Sequence, residues 1–110
     1  MIKYKVVITP SADKDMDGIF TYISENLKEP HTAVKLVERM YEALKSLEVL
    51  PKRYALSSDG FLEKQGFRPM KIGNYLAFFI IDDNKRAVVV HRVLYGRRNY
   101  AALFGMGIDE

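Results

Sequence analysis

The pattern of apolar and polar positions at the start of the chain predicts a strand that leads directly into a helix. The opening segment is rich in β-branched and aromatic residues, and Tyr4, Val6 and Ile8 fall on one face of such a strand. Thr9 can cap the helix that follows, because its side-chain oxygen can accept a hydrogen bond from the first turn. Pro10 suits the first helical position, where its missing N–H has no partner to lose.

Two stretches with helical spacing of apolar residues follow, and together they predict a helix hairpin. The spacing is three and four residues in both stretches, which comprise Ala12, Met16, Ile19, Phe20, Ile23 and Leu27, and then Ala33, Val37, Met40, Leu44 and Leu47. Pro30 separates the two helices by a short joint. The second helix is expected to end near Leu50, because a residue before proline avoids helical geometry. Amphipathic helices with so short a connection are expected to pack antiparallel.

The second half of the chain alternates between apolar runs and turn residues, which predicts three strands. These are expected at residues 67–72, 75–81 and 86–95, after a loop with one helical turn over 61–65. Gly73-Asn74 suits a tight hairpin turn. The middle strand is apolar on both faces, as expected of a central strand that is covered on both sides. The predicted fold class is α+β, in the order β-α-α-β-β-β, with a helix hairpin packed on an antiparallel sheet.

Length and composition indicate one globular domain that spans residues 1–110. The chain is 48% hydrophobic and 28% charged, which is close to the average for globular proteins. It contains no cysteine, which excludes a disulfide scaffold, a zinc ribbon and a thiol nucleophile. With only two histidines, no metal and no cofactor is expected. The apolar runs are short and no signal peptide is evident, so we expect a cytoplasmic protein with no membrane association.

Positive charge is concentrated in the second half of the chain. Residues 1–50 carry seven basic and eight acidic side chains, whereas residues 51–98 carry ten basic and four acidic ones. This asymmetry indicates an anionic partner for the second half, with nucleic acid as the leading class and an acidic protein segment as the alternative. A basic face that serves only solubility explains the charge equally well.

The end of the last predicted strand, with the sequence YGRRNY, is the leading candidate site. Gly96 lets the backbone turn, and Arg97 and Arg98 then present guanidinium groups that match phosphate bidentately and stay charged at any working pH. Tyr95 and Tyr100 add rings that can stack on a base and hydroxyls that can donate to a phosphate. The competing hypothesis is that the two arginines only solvate the turn or pair with carboxylates of the helix hairpin.

Further basic residues can share the sheet surface with this segment. Arg68 and Lys71 belong to the first of the three strands, but Pro69 disturbs the alternation there, so the face that Arg68 takes is left open. His91 and Arg92 are expected on opposite faces of the last strand. His91 is the candidate proton donor or acceptor, because imidazole titrates near neutral pH. The alternative is that it is structural, as single histidines in strands more often are.

Metal-dependent cleavage is not favoured by the sequence. The acidic residues are distributed over helix faces and turns, whereas a catalytic metal needs converging carboxylates. Phosphate-binding loops, dinucleotide-binding fingerprints and hydrolase elbows do not occur in the sequence. Any cleavage of a phosphodiester would therefore rely on arginines and lysines to stabilise the developing negative charge.

The sequence resembles the RelE/ParE superfamily of toxins over residues 3–104. The first strand and the segment TPSADKDMDGIFTYI (9–23) are similar to the opening of these toxins. The segment FRPMKIGNY (67–75), the strand at 86–93 and the segment LYGRRNY (94–100) resemble their closing strands and basic strand end. The order of elements predicted above agrees with this family.

The resemblance implies the growth-arresting toxin of a type II toxin–antitoxin system. Such toxins are cytoplasmic and are silenced by a cognate antitoxin whose segment wraps around them. Within the superfamily, RelE-like members cut mRNA on the ribosome without a metal, and ParE-like members poison DNA gyrase. The apolar tail Ala101–Met106 and the sheet edge are suited to an added strand or helix of the antitoxin.

The resemblance also suggests which residues carry the activity. Matched by position, they are basic residues and one tail aromatic, namely Arg97 or Arg98, Arg68, Lys71, and Tyr100 or Phe104. In the endonuclease hypothesis, the arginines and Lys71 stabilise the scissile phosphate while a tyrosine such as Tyr100, or His91, moves protons. In the gyrase hypothesis, the target protein binds to the same basic residues at the end of the last strand, together with Arg68, Arg92, Tyr95 and Phe104, or else to the helix hairpin. No bond is broken in that case. A nucleic-acid-binding or inactive relative is the third interpretation.

Two positions depart from the patterns of the superfamily. RelE-like cleaving toxins place an arginine just after the aromatic residue of the Gly-Tyr turn, where this chain has Leu76. Many ParE-like toxins carry histidine before Gly-Arg-Arg, where this chain has Tyr95. The missing arginine and the long helix pair favour the ParE-like activity slightly over the RelE-like one.

Overall fold

A computed structural model describes residues 2–96, which fold into a helix hairpin packed on a four-stranded sheet. The strands are β1 (Lys5–Ile8), β2 (Arg68–Ile72), β3 (Tyr75–Asp82) and β4 (Ala87–Tyr95). The α-helices of this part are α1 (Pro10–Thr21), α2 (Pro30–Lys45) and α3 (Gly60–Gln65). A π-helical stretch, Tyr22–Asn26, prolongs α1, and 3₁₀ turns at Ser46–Glu48 and Pro51–Arg53 follow α2.

The start of α1 confirms the predicted cap. The Thr9 hydroxyl oxygen accepts a hydrogen bond from the Ala12 N–H at 3.1 Å, and Pro10 occupies the first helical position. The same hydroxyl donates to the backbone carbonyl of His91 at 3.1 Å. One side chain therefore caps the helix and also attaches it to β4.

The two helices bury most of the stripes that their spacing predicts, but Phe20 and Leu27 of the first stripe are exposed. The buried side chains are apolar and belong to the predicted sets, namely Ala12, Met16 and Ile23 in the first helix, and Ala33, Met40 and Leu44 in the second. The second helix ends at Lys45, a few residues before the expected end near Leu50. The chain tightens into a 3₁₀ turn there, and Val49 is already extended, so that it forms a bridge with Lys3.

The strands lie in the order β1-β4-β3-β2. The antiparallel arrangement is confirmed for β2, β3 and β4, with Ile72 opposite Tyr75 across the Gly73-Asn74 turn. The prediction of an antiparallel sheet does not hold for β1, which lies parallel to β4. After β1 the chain crosses the sheet through the helix hairpin and re-enters at the far edge, so β1 pairs with the last strand instead of the next one.

The central strand β3 is buried on both faces, as its apolar sequence predicts. Phe79 lies in the core beneath the helix hairpin, whereas Phe78 lies in a second cluster on the opposite face. This second face is covered by Leu62 of α3 and by Phe67. The helical turn expected over 61–65 is thus confirmed as α3, and its role is to close the far side of the sheet.

A β-bulge interrupts the pairing of β3 and β4 at His91. Phe78 is opposite Arg92, while Phe79 is opposite Val90, so His91 is the extra residue of β4. A bulge shifts the alternation of side chains by one position. Val90 and Val93 can therefore both enter the core, although an uninterrupted strand would turn them to opposite faces.

Candidate functional site

The end of the sheet that leads to the arginine segment holds an open depression of about 290 Å³. Its lining comes from the β2–β3 turn and from the end of β4, namely Lys71, Gly73, Asn74, Tyr75, Leu76 and Gly96. Lys71 is exposed and lies opposite Leu76, which in turn lies opposite Leu94. Lys71 and Gly96 therefore border the same depression.

Several predicted site residues follow Gly96 in the sequence. Arg97, Arg98, Tyr100 and Phe104 lie outside the described residues, as does the apolar tail Ala101–Met106. Their proposed roles stay predictions. Gly96 itself is held in place, because its N–H donates to the Asn74 carbonyl at 2.8 Å. The chain therefore leaves the sheet beside the depression.

A group of tyrosines borders the same end of the sheet. The rings of Tyr75 and Tyr95 meet edge to face, with centroids 5.7 Å apart. Burial is the main cause that raises the pKa of the Tyr75 hydroxyl, and the neighbouring Tyr95 and Tyr22 raise it further. The hydroxyl therefore stays a neutral donor at physiological pH. Tyr22 and Tyr95 are 53% and 40% exposed, so both can meet a partner. Sequence analysis identified Tyr95 but missed Tyr75 and Tyr22, because no local pattern shows that a helix end reaches the strand ends.

A larger groove of about 790 Å³ separates the first helix from the ends of β3 and β4. Its lining is mostly apolar and comprises Lys14, Asp15, Gly18, Ile19, Tyr22, Ile23, Leu27, Tyr75, Arg92, Val93, Leu94 and Tyr95. Since β1 ends at Ile8, opposite Val90, the described residues place no strand beside the last part of β4 on this side. The groove therefore lies along an open stretch of the sheet.

Arg92 is bound by Asp15 of α1. Its Nε lies 2.8 Å from Asp15 Oδ2 and its terminal nitrogen 3.0 Å from Oδ1, a bidentate arrangement. Asp15 Oδ2 also accepts the Val93 N–H at 2.9 Å. The hydrogen bonds to Asp15 raise the pKa of the Arg92 guanidinium above its already high ordinary value. Arg92 thus fastens β4 to α1 and does not present its charge on the sheet surface.

Arg68 and His91 lie apart from Lys71 and Gly96. Arg68 is on the face of β2 that carries Met70, and it donates to the Tyr54 carbonyl at 2.6 Å. His91 is half-buried, packs edge to face against the Phe67 ring at 5.4 Å, and borders neither cavity. Burial lowers the pKa of its imidazole. The bulge at His91 interrupts the simple alternation that the sequence predicts for His91 and Arg92: Arg92 lies opposite Phe78, and His91 contacts Phe67 of the same cluster.

Residues 2–96 contain no helix that is both long and apolar enough to cross a membrane. Over the same range, histidine and acidic side chains do not gather in groups of three or more that could hold a metal ion.

Comparison with known proteins identifies the family and the fold. The family described as ParE toxin of type II toxin-antitoxin system, parDE, matches residues 6–100. A chain of the chromosomal ParDE system from P. aeruginosa has a similar structure, with a TM-score of 0.70 and 20% sequence identity over 86% of this chain and 98% of that chain. A comparison with curated proteins found no significant match.

Two further solved structures share the fold. A mutant of the E. coli toxin RelE in the free state has a TM-score of 0.64 and 13% identity, with 96% of each chain covered. The toxin–antitoxin complex RelBE2 from Mycobacterium tuberculosis gives 0.58 and 22%, over 86% of this chain and 99% of that chain. At such identities the likeness establishes the fold alone, whereas the family match spans most of the sequence. The chain belongs to the ParE toxin family of type II toxin–antitoxin systems.

Proposed function

We propose that this toxin arrests growth by inhibiting DNA gyrase. The observation that carries the proposal is the position of Leu76 in the depression beside Gly96. RelE-like toxins that cleave mRNA have an arginine at the corresponding position, and metal-free cleavage needs cations around the phosphate to stabilise the developing charge. Leu76 instead packs against the apolar cluster that contains Phe78 and Leu94. The family match to ParE toxins points in the same direction.

The placement of the candidates that lie within residues 2–96 also supports target binding over catalysis. The charge of Arg92 is neutralised by Asp15, and His91 lies five residues before Gly96, about 16 Å along an extended strand. Lys71 is the cation that the described residues bring to the depression. Lys71, Tyr75 and Leu76 form a surface that can bind a protein, and among residues 2–96 no histidine or carboxylate lines the depression as a proton acceptor.

Gyrase inhibition and mRNA cleavage can be distinguished by two reactions with purified components, run in parallel. In the first, gyrase supercoils relaxed plasmid at increasing concentrations of this protein. In the second, translating ribosomes carry a labelled mRNA. We expect supercoiling to fall with toxin concentration while the mRNA stays intact. Cleaved mRNA with normal supercoiling would replace this proposal by the second candidate, a ribosome-dependent mRNA endonuclease that uses Arg97, Arg98 and Lys71.

We further propose that a cognate antitoxin silences the protein by occupying the groove between the first helix and β4. The groove is apolar, and it lies along the stretch of β4 that β1 leaves open. An added strand or helix can cover both features at once. The cytoplasm is the compartment in which we expect toxin, antitoxin and gyrase to meet.

A further inference from the structure

A second concentration of positive charge lies at the end of the sheet opposite Gly96. We call it the basic end. Its side chains are all cationic and come from four separate segments, namely Lys3, Lys5, Lys52, Arg53, Arg68, Lys85 and Arg86. All are exposed except Arg68, which is half-buried. Sequence analysis identified Arg68 alone of this set.

The register of β1 brings two of these segments together. Lys5 lies opposite Ala87, and its N–H donates to the Arg86 carbonyl at 2.8 Å. Lys3 forms a bridge with Val49, whose carbonyl accepts a hydrogen bond from the Arg53 guanidinium. The start of β1 therefore lies between the β3–β4 turn and the 3₁₀ turn at Pro51–Arg53.

Asp83 connects the same 3₁₀ turn to the β3–β4 turn. Its Oδ2 lies 3.0 Å from Lys52 Nζ, and its Oδ1 accepts the Tyr4 hydroxyl at 3.0 Å. The hydrogen bonds from Lys52 and Tyr4, assisted by the nearby charge of Arg68, lower the pKa of the Asp83 carboxyl. The seven cations therefore form one surface around a carboxylate that stays ionised.

The charge balance of this end exceeds that of the whole protein. Seven cations face three carboxylates, those of Glu48, Asp82 and Asp83, whereas the entire chain has a net charge of +3. The rest of the protein is therefore slightly acidic, even with Arg97 and Arg98 included. Such asymmetry directs the approach of an anionic partner to this end.

Arg86 shows that the charge is placed here against a steric preference. Its backbone adopts the left-handed conformation, with φ of 49°. Glycine or asparagine would take this conformation with less strain. A long cationic side chain nevertheless occupies the turn, next to Lys85.

We propose that the basic end binds the phosphate backbone of duplex DNA. Binding to a single strand would need aromatic faces on which bases stack. In the described structure, Arg53 lies over the Tyr54 ring at 4.7 Å from its centroid, and the Tyr4 ring packs against the core. An acidic protein segment would need apolar pockets for its anchors, and the two cavities described above lie at the other end of the sheet. Exposed cations on separate segments suit a regular backbone of phosphates.

This inference goes beyond gyrase inhibition and does not depend on it. Its test is the salt dependence of binding to a fluorescent DNA duplex, measured by anisotropy from 50 to 200 mM salt. The variant Lys5→Gln/Lys85→Gln/Arg86→Gln removes three cations that form no ion pair in residues 2–96. Each phosphate contact contributes about 0.9 to the slope of log affinity against log salt. Over this range, the wild-type affinity is expected to fall about 40-fold more than that of the variant.

The matched control is Lys14→Gln/Lys28→Gln/Lys35→Gln, which removes the same charge from exposed positions of the helix hairpin. The proposal predicts that this control keeps the wild-type slope. Equal slopes for the two triple variants would overturn the proposal, as would failure of the wild type to bind the duplex at 50 mM salt. Polyglutamate that competes as well as DNA at equal charge would assign the surface to an acidic protein instead.

Thermal unfolding of each variant shows whether it is folded. Should the triple variant unfold, the single change Lys85→Gln, in an exposed turn, is expected to lower the slope by about 0.9. An unchanged slope in that folded variant would also overturn the proposal.

Discussion

Asp15 joins α1 to β4 through one carboxylate, which accepts three hydrogen bonds. It receives two hydrogen bonds from Arg92 and one from the Val93 N–H, at the point where β1 no longer borders β4. Acidic side chains near the start of a helix, such as Asp13 in α1, ordinarily stabilise the positive end of the helix dipole. The structure shows a tertiary role for Asp15 instead, because its carboxylate satisfies polar groups that the open sheet edge would otherwise leave partly buried and unpaired.

Replacement of Asp15 is expected to destabilise the fold. The change Asp15→Ala leaves the half-buried Arg92 guanidinium and the Val93 N–H without their acceptor, which lowers the free energy of unfolding by about 2 kcal/mol. Urea unfolding followed by circular dichroism measures this difference. Asp17→Ala, an exposed position on the same helix, is the control and is expected to change stability by less than about 0.5 kcal/mol. Equal losses for the two variants would refute the role of the carboxylate.

His91 predicts a dependence of stability on pH. Burial lowers the pKa of its imidazole below the ordinary value of 6.5. Well above pH 6.5 the imidazole is neutral in folded and unfolded chains alike, so its protonation does not change stability there. As the pH falls below 6.5, the unfolded chain binds the proton more readily, and the free energy of unfolding decreases until the folded state is protonated too.

The measurement is urea unfolding at several pH values between 5 and 8 for the wild type and His91→Gln. The variant is expected to lose less stability than the wild type as the pH is lowered. His31→Gln, at an exposed position near the start of α2, controls for the loss of an imidazole as such. If the pH dependence of His91→Gln matches that of the wild type, other groups cause it.

The groove between the first helix and β4 is expected to bind the antitoxin. The change Tyr22→Asp places a charge in this apolar groove at an exposed position, where it has little effect on folding. It is expected to weaken antitoxin binding at least tenfold, because the charge must be desolvated in the complex. Calorimetric titration with the product of the adjacent reading frame measures the change.

Phe20→Asp is the matched control for this experiment. Phe20 is two residues away on the same helix and exposed, but it does not line the groove. We expect it to bind the antitoxin with nearly wild-type affinity. A larger loss of antitoxin affinity for Phe20→Asp than for Tyr22→Asp would indicate that the antitoxin binds the outer face of the hairpin instead.

Elements whose bounds are set by residues close together in the sequence can be predicted directly from that sequence. Thr9 and Pro10 mark the start of α1, and the tight turn at Gly73-Asn74 fixes the register that places Lys71 opposite Leu76. Contacts between distant segments do not follow in this way. The parallel pairing of β1, the bulge at His91 and the capture of Arg92 by Asp15 all depend on how the helix hairpin docks on the sheet.

The two ends of the sheet expose different kinds of side chain. One end presents Lys71, exposed tyrosines and an apolar groove, and it leads to Arg97 and Arg98. The other end carries the cations that we assign to duplex DNA. A toxin built in this way can contact a protein and the DNA that this protein holds, since the two surfaces do not overlap. The combination suits an inhibitor of a DNA-bound enzyme better than a nuclease.

This arrangement predicts the order of events in a cell. On tightly controlled expression in a bacterium, incorporation of labelled thymidine is expected to fall before incorporation of labelled amino acids, because inhibition of gyrase stops replication directly and affects translation only later. Co-expression of the adjacent reading frame is expected to restore both rates, since an antitoxin in the groove would block the surface that meets the target. Amino-acid incorporation that collapses first would indicate a ribosomal target, and the depression with Lys71 would then become the place to look for catalysis.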